Sequence, residues 1–375
     1  MALPELVREH DDRDTFYLNM GPQHPSTHGV LRLRLKLSGE RILAAEPLIG
    51  YSHRAHEKMA ETRNYLQFLP NPSRVDYLSG MIYNIGYCQA MEKILGIEVP
   101  PRAEHLRVIA CELNRVSSHL LWFGTYLLDL GGITPFLYCF DDREQILDVL
   151  DRISGSRLTY CCGRFGGLTT DGDDAFCEAV AAFCARFRAR LPEYRRLVTD
   201  NVIFRKRTQG VGFMDPSLVE SHGATGPIAR AMGLARDTRK DEPYGIYDKL
   251  QFSVPTRLES DCLARYHVRV EEMEQSIGLV EQALRALPDG PIMAPKVPKR
   301  IKPPKGEFYF AVESARGHFG MFIVSDGSET PYRIHLRTPS FSNLSTMAAV
   351  LPGCLVSDAV AILGSIDIVL PEIDR

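Results

Sequence analysis

The sequence of 375 residues predicts an α+β fold that is mainly α: a central helical bundle with small antiparallel β lobes at its N- and C-terminal ends. Three observations carry this prediction. Between residues 73 and 290, apolar residues recur at steps of three and four, the period of helices that pack on one face. The segment VLRLRLKL (30–37) alternates Leu31, Leu33, Leu35 and Leu37 with Arg32, Arg34 and Lys36, as a strand with one apolar and one basic face would. GHFGMFIVSDGSETPYRIHLRTPSF (317–341) reads as a hairpin with Asp326 and Gly327 in its turn. The organisation that follows is an N-terminal β-containing lobe over 1–72, the bundle over 73–290, and a C-terminal lobe over 291–375 with the hairpin and a final buried helix.

After a loosely tied start, TFYLNM (15–20) is a strand. MGPQHPSTHG (20–29) must be a loop, because Pro22 and Pro25 lack an N–H and hold φ near −65°. It joins two strands of a small antiparallel sheet, and SGE then turns the chain into RILAAEPLIG. Ser73 suits an N-cap with Asp76 three residues on, and Leu78, Met81, Ile82, Ile85, Cys88 and Leu95 continue at helical spacing to Gly96. That places Tyr77 about one turn inside a helix. Pro100 and Pro101 open a second helix, which runs for roughly 30 residues to Gly131 and Gly132. Further helices are expected from Asp142 to Ile153, from Asp173 to Leu191 and from about Ser260 to Leu287. The Pro- and Lys-rich stretch 288–306 is irregular. The apolar run 347–370 is broken by Pro352, Asp358 and Asp367, so it reads as a buried helix with flanking loops.

Composition removes several function classes. Hydrophobic residues make up 45% and the net charge is −3, which argues against disorder and against nucleic-acid binding by bulk charge. No run of about 18 apolar residues exists to cross a membrane. MALPELVREHDDRD lacks the basic and apolar regions of a signal peptide, so the expectation is a cytoplasmic chain whose nine cysteines are thiols. None of them forms a CxxC pair, which argues against a zinc ribbon, a thioredoxin-type site or self-contained iron–sulfur ligation.

Chemistry gathers around the loop. His24 and His28 have three readings: metal ligands, turn-capping residues, or proton donors to a bound ligand. Metal ligation would need help from His53, His56 and Glu57, whose HxxHE order is not that of a zincin. Asp129 lies at the C-terminal end of the long helix, where the dipole disfavours a carboxylate, and it is flanked by leucines. Such an acid needs a cation or a proton, and a loop histidine would serve; a solvated helix end is the simpler alternative. Tyr77 is a neutral donor at pH 7, or else a core aromatic with its hydroxyl at an edge. A tyrosine and a histidine–aspartate pair suit a ligand with two carbonyl oxygens that each gain a proton as electrons arrive.

FYLNMGPQHPSTHGVLRL, EPLIGYSHRAHEKMAETRNY, ELNRVSSHLLWFGTYLLDLGGITPF and SIDIVLPEIDR resemble the family of the 49-kDa subunit of respiratory complex I, the proton-pumping NADH:quinone oxidoreductase. The resemblance runs from about residue 15 to Arg375, and GPQHPSTHG is a highly specific signature. The family is related to the large subunits of nickel–iron hydrogenases, whose metal is held by two paired-cysteine motifs that this chain lacks. The resemblance therefore implies a hydrogenase-like scaffold without metal, reusing the space for quinone, with the signature loop as one wall of the pocket. It implies that His28 bonds one quinone carbonyl, Tyr77 the other, and that Asp129 pairs with His28. Arg54 would stand beside the terminal [4Fe–4S] cluster of the adjoining subunit, and His24 would be structural. The implied partners are that iron–sulfur subunit, other peripheral-arm subunits, and membrane-arm subunits at the quinone entrance. The implied place is peripheral, on the cytoplasmic side of the inner membrane. Many ubiquinone-reducing relatives carry a histidine where this chain has Thr159, which cannot titrate, and this points to a lower-potential cluster and to menaquinone, with ubiquinone as the alternative.

Three rivals stand beside this reading. One keeps the role but feeds the complex from ferredoxin or a deazaflavin. A second makes the chain a purely structural docking subunit. A third is a metal-dependent hydrolase.

Overall fold

A computed structural model describes residues 5–7, 15–24 and 29–375, the first three as backbone alone. His28 therefore lies outside the described residues. The N-terminal sheet is antiparallel in the order β1 (Glu5–Val7), β2 (Thr15–Met20), β3 (Arg32–Ser38) and β4 (Arg41–Leu48). Strand β3 obeys its period-two pattern: Leu33, Leu35 and Leu37 are buried while Arg32, Arg34 and Lys36 are half-buried. The pairing of Glu5–Val7 with β2 is a strand the sequence did not announce.

Short helices α1 (His56–Ala60), α2 (Tyr65–Phe68) and α3 (Pro72–Val75) lead into the bundle. Here the structure departs from expectation. Ser73 is no N-cap; its hydroxyl donates to the Pro70 carbonyl. Asp76 leaves helical geometry (φ −116°, ψ 96°), and its carboxylate accepts the N–H groups of Leu78 and Ser79. Helix α4 (Gly80–Leu95) begins only after that, so Tyr77 sits in the break between α3 and α4, not inside a helix. The cause is tertiary: the Asp76 carboxylate is also gripped by the buried Arg316 guanidinium at 2.8 Å.

Helix α5 (Pro101–Asp129) has 29 residues, opened by proline and closed at Gly131 and Gly132. At 1.5 Å per residue it is a rod about 43 Å long. Helix α6 (Ile133–Ser154) starts nine residues before the expected Asp142. Helix α7 (Asp174–Tyr194) is capped by Asp173, whose carboxylate accepts the Phe176 N–H, and it runs on into a π turn (Arg195–Thr199). A hairpin of β5 (Gly163–Arg164) and β6 (Gly167–Leu168) lies between them. Helices α8 (Val202–Thr208), α9 (Ser217–His222), α10 (Pro227–Ala231) and α11 (Thr238–Asp241) are short. Helix α12 (Cys262–Arg285) is the long one expected near Ser260, capped by Asp261.

The stretch 288–305 has no regular element, as its prolines dictate. The C-terminal sheet is three-stranded rather than a hairpin: β7 (Gly306–Ser314), β8 (Gly317–Ser325) and β9 (Arg333–Arg337), all antiparallel. Helices α13 (Pro339–Ser345), α14 (Met347–Val350), α15 (Val356–Ile366) and α16 (Leu370–Asp374) follow. The larger apolar core joins α4, α5, α6, α7 and α12 to the C-terminal sheet. A second joins the leucines of β3 to α15 and α16. The prediction of a mainly helical α+β fold holds.

Between these cores run buried ions. Along α5, Glu112 pairs with Arg115 and Arg239 at 3.1 Å each. Arg239 also pairs with Asp237, and Arg230 pairs with Glu272 at 2.6 Å and Glu313 at 2.8 Å. Further along α5, the Trp122 indole N–H donates to the Gly364 carbonyl at 2.7 Å, pinning α5 to α15.

Candidate functional site

The signature loop leaves β2 at Gly21, whose φ is +86°. A Cβ there would come within 2.0 Å of the Leu31 carbonyl oxygen, so only glycine lets the chain pass. The His24 and Gly29 backbones pair across the neck of the loop. Gly29 lies against α16: a Cβ on it would be 3.3 Å from the Leu370 side chain.

Tyr77 follows α3, which packs on the same helix α16. Its ring is half-buried, and its hydroxyl has no hydrogen-bond partner among the described residues. Burial raises its pKa, with Asp76 and Asp367 adding to the rise and Arg316 opposing it. The phenol therefore keeps its proton throughout the neutral range. Behind it, Arg316 spans two acids, donating to Asp76 at 2.8 Å and to Asp367 at 3.2 Å. Asp367 sits at φ +58°, a strained position for a residue with a Cβ. A third carboxylate completes the cluster. Glu372 is fully buried and accepts from the Tyr83 hydroxyl at 2.7 Å and from the Ser340 hydroxyl. No guanidinium of the described residues touches it, and burial together with the negative charge of Asp76 pushes its pKa up to about 7, against Arg316.

Sequence reasoning did not single out Arg316, Asp76, Asp367 or Glu372 as parts of a site. The signal was there in SIDIVLPEIDR, where two acids stand inside an apolar run and so require buried partners.

Asp129 ends α5, half-buried at the helix terminus and seven residues beyond Trp122, or about 10 Å along the axis. Arg54 is exposed and donates to the Arg74 carbonyl at 2.6 Å. Together with Arg63 and Arg74 it surrounds His56, whose pKa is lowered to about 4 by burial and then by these three cations. None of the three arginines has an ion-pair partner among the described residues, so this face carries an uncompensated positive field. The described residues contain no group of His, Cys, Asp and Glu able to hold a metal ion. They also contain no helix long and apolar enough to cross a membrane.

The chain matches the family model described as "Respiratory-chain NADH dehydrogenase, 49 Kd subunit" over residues 129–301 and 296–375. A protein of Syntrophobacter fumaroxidans, named as a subunit of NADH-quinone oxidoreductase, is 58% identical over 360 residues, 96% of each chain. Its namesake in Desulfotalea psychrophila is 54% identical over 362 residues, 96% of this chain and 97% of that one. The one in Geobacillus kaustophilus is 51% identical over 358 residues, 95% of this chain and 97% of that one.

Proposed function

The chain belongs to the family of the 49-kDa subunit of respiratory-chain NADH dehydrogenase, and on that footing we propose that its Tyr77 and signature loop bind the head of a quinone and deliver the protons of its reduction. The observation that carries this reading is the Tyr77 hydroxyl, a retained proton with no partner among the described residues, in the segment after α3, which packs on the same helix α16 that the end of the loop touches. Tyr77 donates to one carbonyl oxygen and His28 to the other, with Asp129 orienting the His28 ring and stabilising its protonated form. Gly21, Pro22 and the His24–Gly29 pairing stiffen the neck of the loop, so His24 positions and His28 reacts.

Electrons reach the quinone from a [4Fe–4S] cluster held by the adjoining subunit. Quinone, two electrons and two protons give the quinol, and Tyr77 and His28 are reprotonated afterwards. The positive field of Arg54, Arg63 and Arg74 supports a contact between this face and an anionic group such as a thiolate-ligated cluster. The chain works as a peripheral part of a membrane-bound complex, on its cytoplasmic side, where other peripheral subunits and the membrane arm adjoin it.

Substituting Tyr77→Phe in the assembled complex should lower quinone reduction about 100-fold. Reduction of the clusters by NADH should remain unchanged. Near-normal quinone reduction would instead favour a purely structural role. Thr159 adopts φ +50° in the loop after α6 and cannot titrate. The adjoining cluster should accordingly keep a potential independent of pH, suited to menaquinone; a potential that falls steeply with rising pH in a redox titration would reject this.

A further inference from the structure

A cavity of about 500 Å³, whose lining does not include Tyr77, opens between the α9–α11 segment and the C-terminal sheet. Its size is that of a small-molecule site. Val219, Ala224, Ala229 and Leu234 give it one apolar wall. Arg236 and Arg337 also line it.

Both guanidiniums lack a counter-ion among the described residues. Arg337 donates only to neutral oxygens: the Thr225 hydroxyl at 3.1 Å and the carbonyls of His318 at 2.6 Å and Gly223 at 2.5 Å. Arg236 makes no side-chain hydrogen bond or ion pair among the described residues. Two carboxylates line the cavity and neither answers them. Glu313 is engaged by Arg230 and Thr238, and Glu220 is exposed at the rim, unpaired among the described residues.

His318 is not a third cation. Burial, with Arg337 and Arg236 nearby, lowers its pKa to about 4 and keeps the ring neutral at pH 7. The Thr238 hydroxyl donates to Glu313 at 2.9 Å and so accepts from His318 Nδ1 at 3.0 Å, which leaves Nε2 of the neutral ring to accept from the Tyr309 hydroxyl at 2.6 Å. Glu313 shares Arg230 with Glu272, so the cavity holds two guanidiniums without a contact ion pair and carries negative charge at Glu220 and Glu313 beside them. A monoanion can be seated between the two guanidiniums, while a dianion would bring a further charge against those carboxylates.

We propose that this cavity is a binding site for a small monocarboxylate with an apolar body, its carboxylate held by Arg236 and Arg337 and its body against the Val219–Leu234 wall. Bidentate guanidinium–carboxylate pairing is the strongest neutralisation available to these donors.

Benzoate is the probe, with benzamide as its uncharged isostere, titrated calorimetrically into the full chain and into the assembled complex. Saturable benzoate binding is expected, at least tenfold weaker for benzamide and at least tenfold weaker in Arg236→Gln. That variant keeps the fold because Arg236 holds nothing in place; Arg337→Gln, which also unties β9 from the Gly223 turn, serves as a second arm. Benzoate that binds the chain and the complex alike identifies a free acid as the occupant. Benzoate that binds the chain but not the complex identifies a carboxylate of a neighbouring subunit. Absence of saturable binding in both preparations, or equal binding by Arg236→Gln and the parent, overturns the proposal.

Discussion

Two buried ionic clusters, one along α5 and one behind Tyr77, use the same side chains to opposite ends. Along α5, each of Glu112, Asp237, Glu272 and Glu313 touches a guanidinium directly. Burial opposes their ionisation, yet Arg115 and Arg239 hold Glu112 at about 2, and Arg230 holds Glu272 at about 2. Behind Tyr77, Arg316 is divided between Asp76 and Asp367, and Glu372 accepts from two hydroxyls and the Ser340 N–H, with no guanidinium among its partners. There burial wins and Glu372 rises to about 7. The difference shows that depth alone does not set the charge of a buried acid: Glu112 and Glu272 have guanidiniums within bonding distance that outweigh burial, and Glu372 has none. The α5 cluster is a fastening, and the cluster behind Tyr77 is titratable at the pH of a cell.

The comparison is broken most severely by Arg230→Met. It strands Glu272 and Glu313 as unpaired buried charges, and it should destabilise the chain by about 3–5 kcal/mol, read as a lower denaturation midpoint. Glu372→Gln should act in the other direction. In the parent, the folded state holds a proton on Glu372 that the unfolded chain releases near its ordinary value of 4.5, so its contribution is fully present below that value and is lost as pH rises through about 7. The amide removes this dependence, flattening the stability profile between pH 5 and 8 by about 3 kcal/mol. For Glu112 and Glu272 the slope has the opposite sign: their contribution is present above about pH 4.5 and lost as pH falls towards 2. Smallest is Ser340→Ala, which removes one hydroxyl from Glu372 at about 1 kcal/mol. It should also raise the Glu372 midpoint, measurable by infrared titration of the carboxyl band.

The strands were legible where one face was buried, as in β3, whose leucines and basic residues alternate without a break. Helix α5 was legible because Pro101 opens it and the Gly131–Gly132 pair closes it. The start of α6 was not, since Ile133 and Leu137 lie 61% and 60% exposed and so blur the apolar stripe. Strand β7 was missed for a similar reason: its first half alternates only between half-buried and exposed residues. The misplacement of Tyr77 has a different origin. Asp76 looked like part of a local capping pattern, but its strongest partner, Arg316, is 240 residues away in the chain. Local pattern could not have found that contact, although the acids inside the apolar run SIDIVLPEIDR signal that buried partners exist. The histidine, tyrosine and aspartate of the candidate site were visible by residue type and motif, while Arg316 and Asp367, which act on Tyr77 together with its chain neighbour Asp76, reach it only through the fold.

The pinning of α5 to α15 puts the only indole of the chain at a sensitive place. Trp122 is buried, its N–H is on Gly364, and the Arg269 guanidinium lies 4.4 Å above its ring. Arg269 also donates to the carbonyls of Ser365 and Ile366 and stands 3.9 Å from Asp367. The molecule thus carries its own optical reporter. A cation held over an indole shifts and quenches its emission, so movement of Arg269 towards or away from the acids behind Tyr77 is written into the fluorescence of a single residue, without any label.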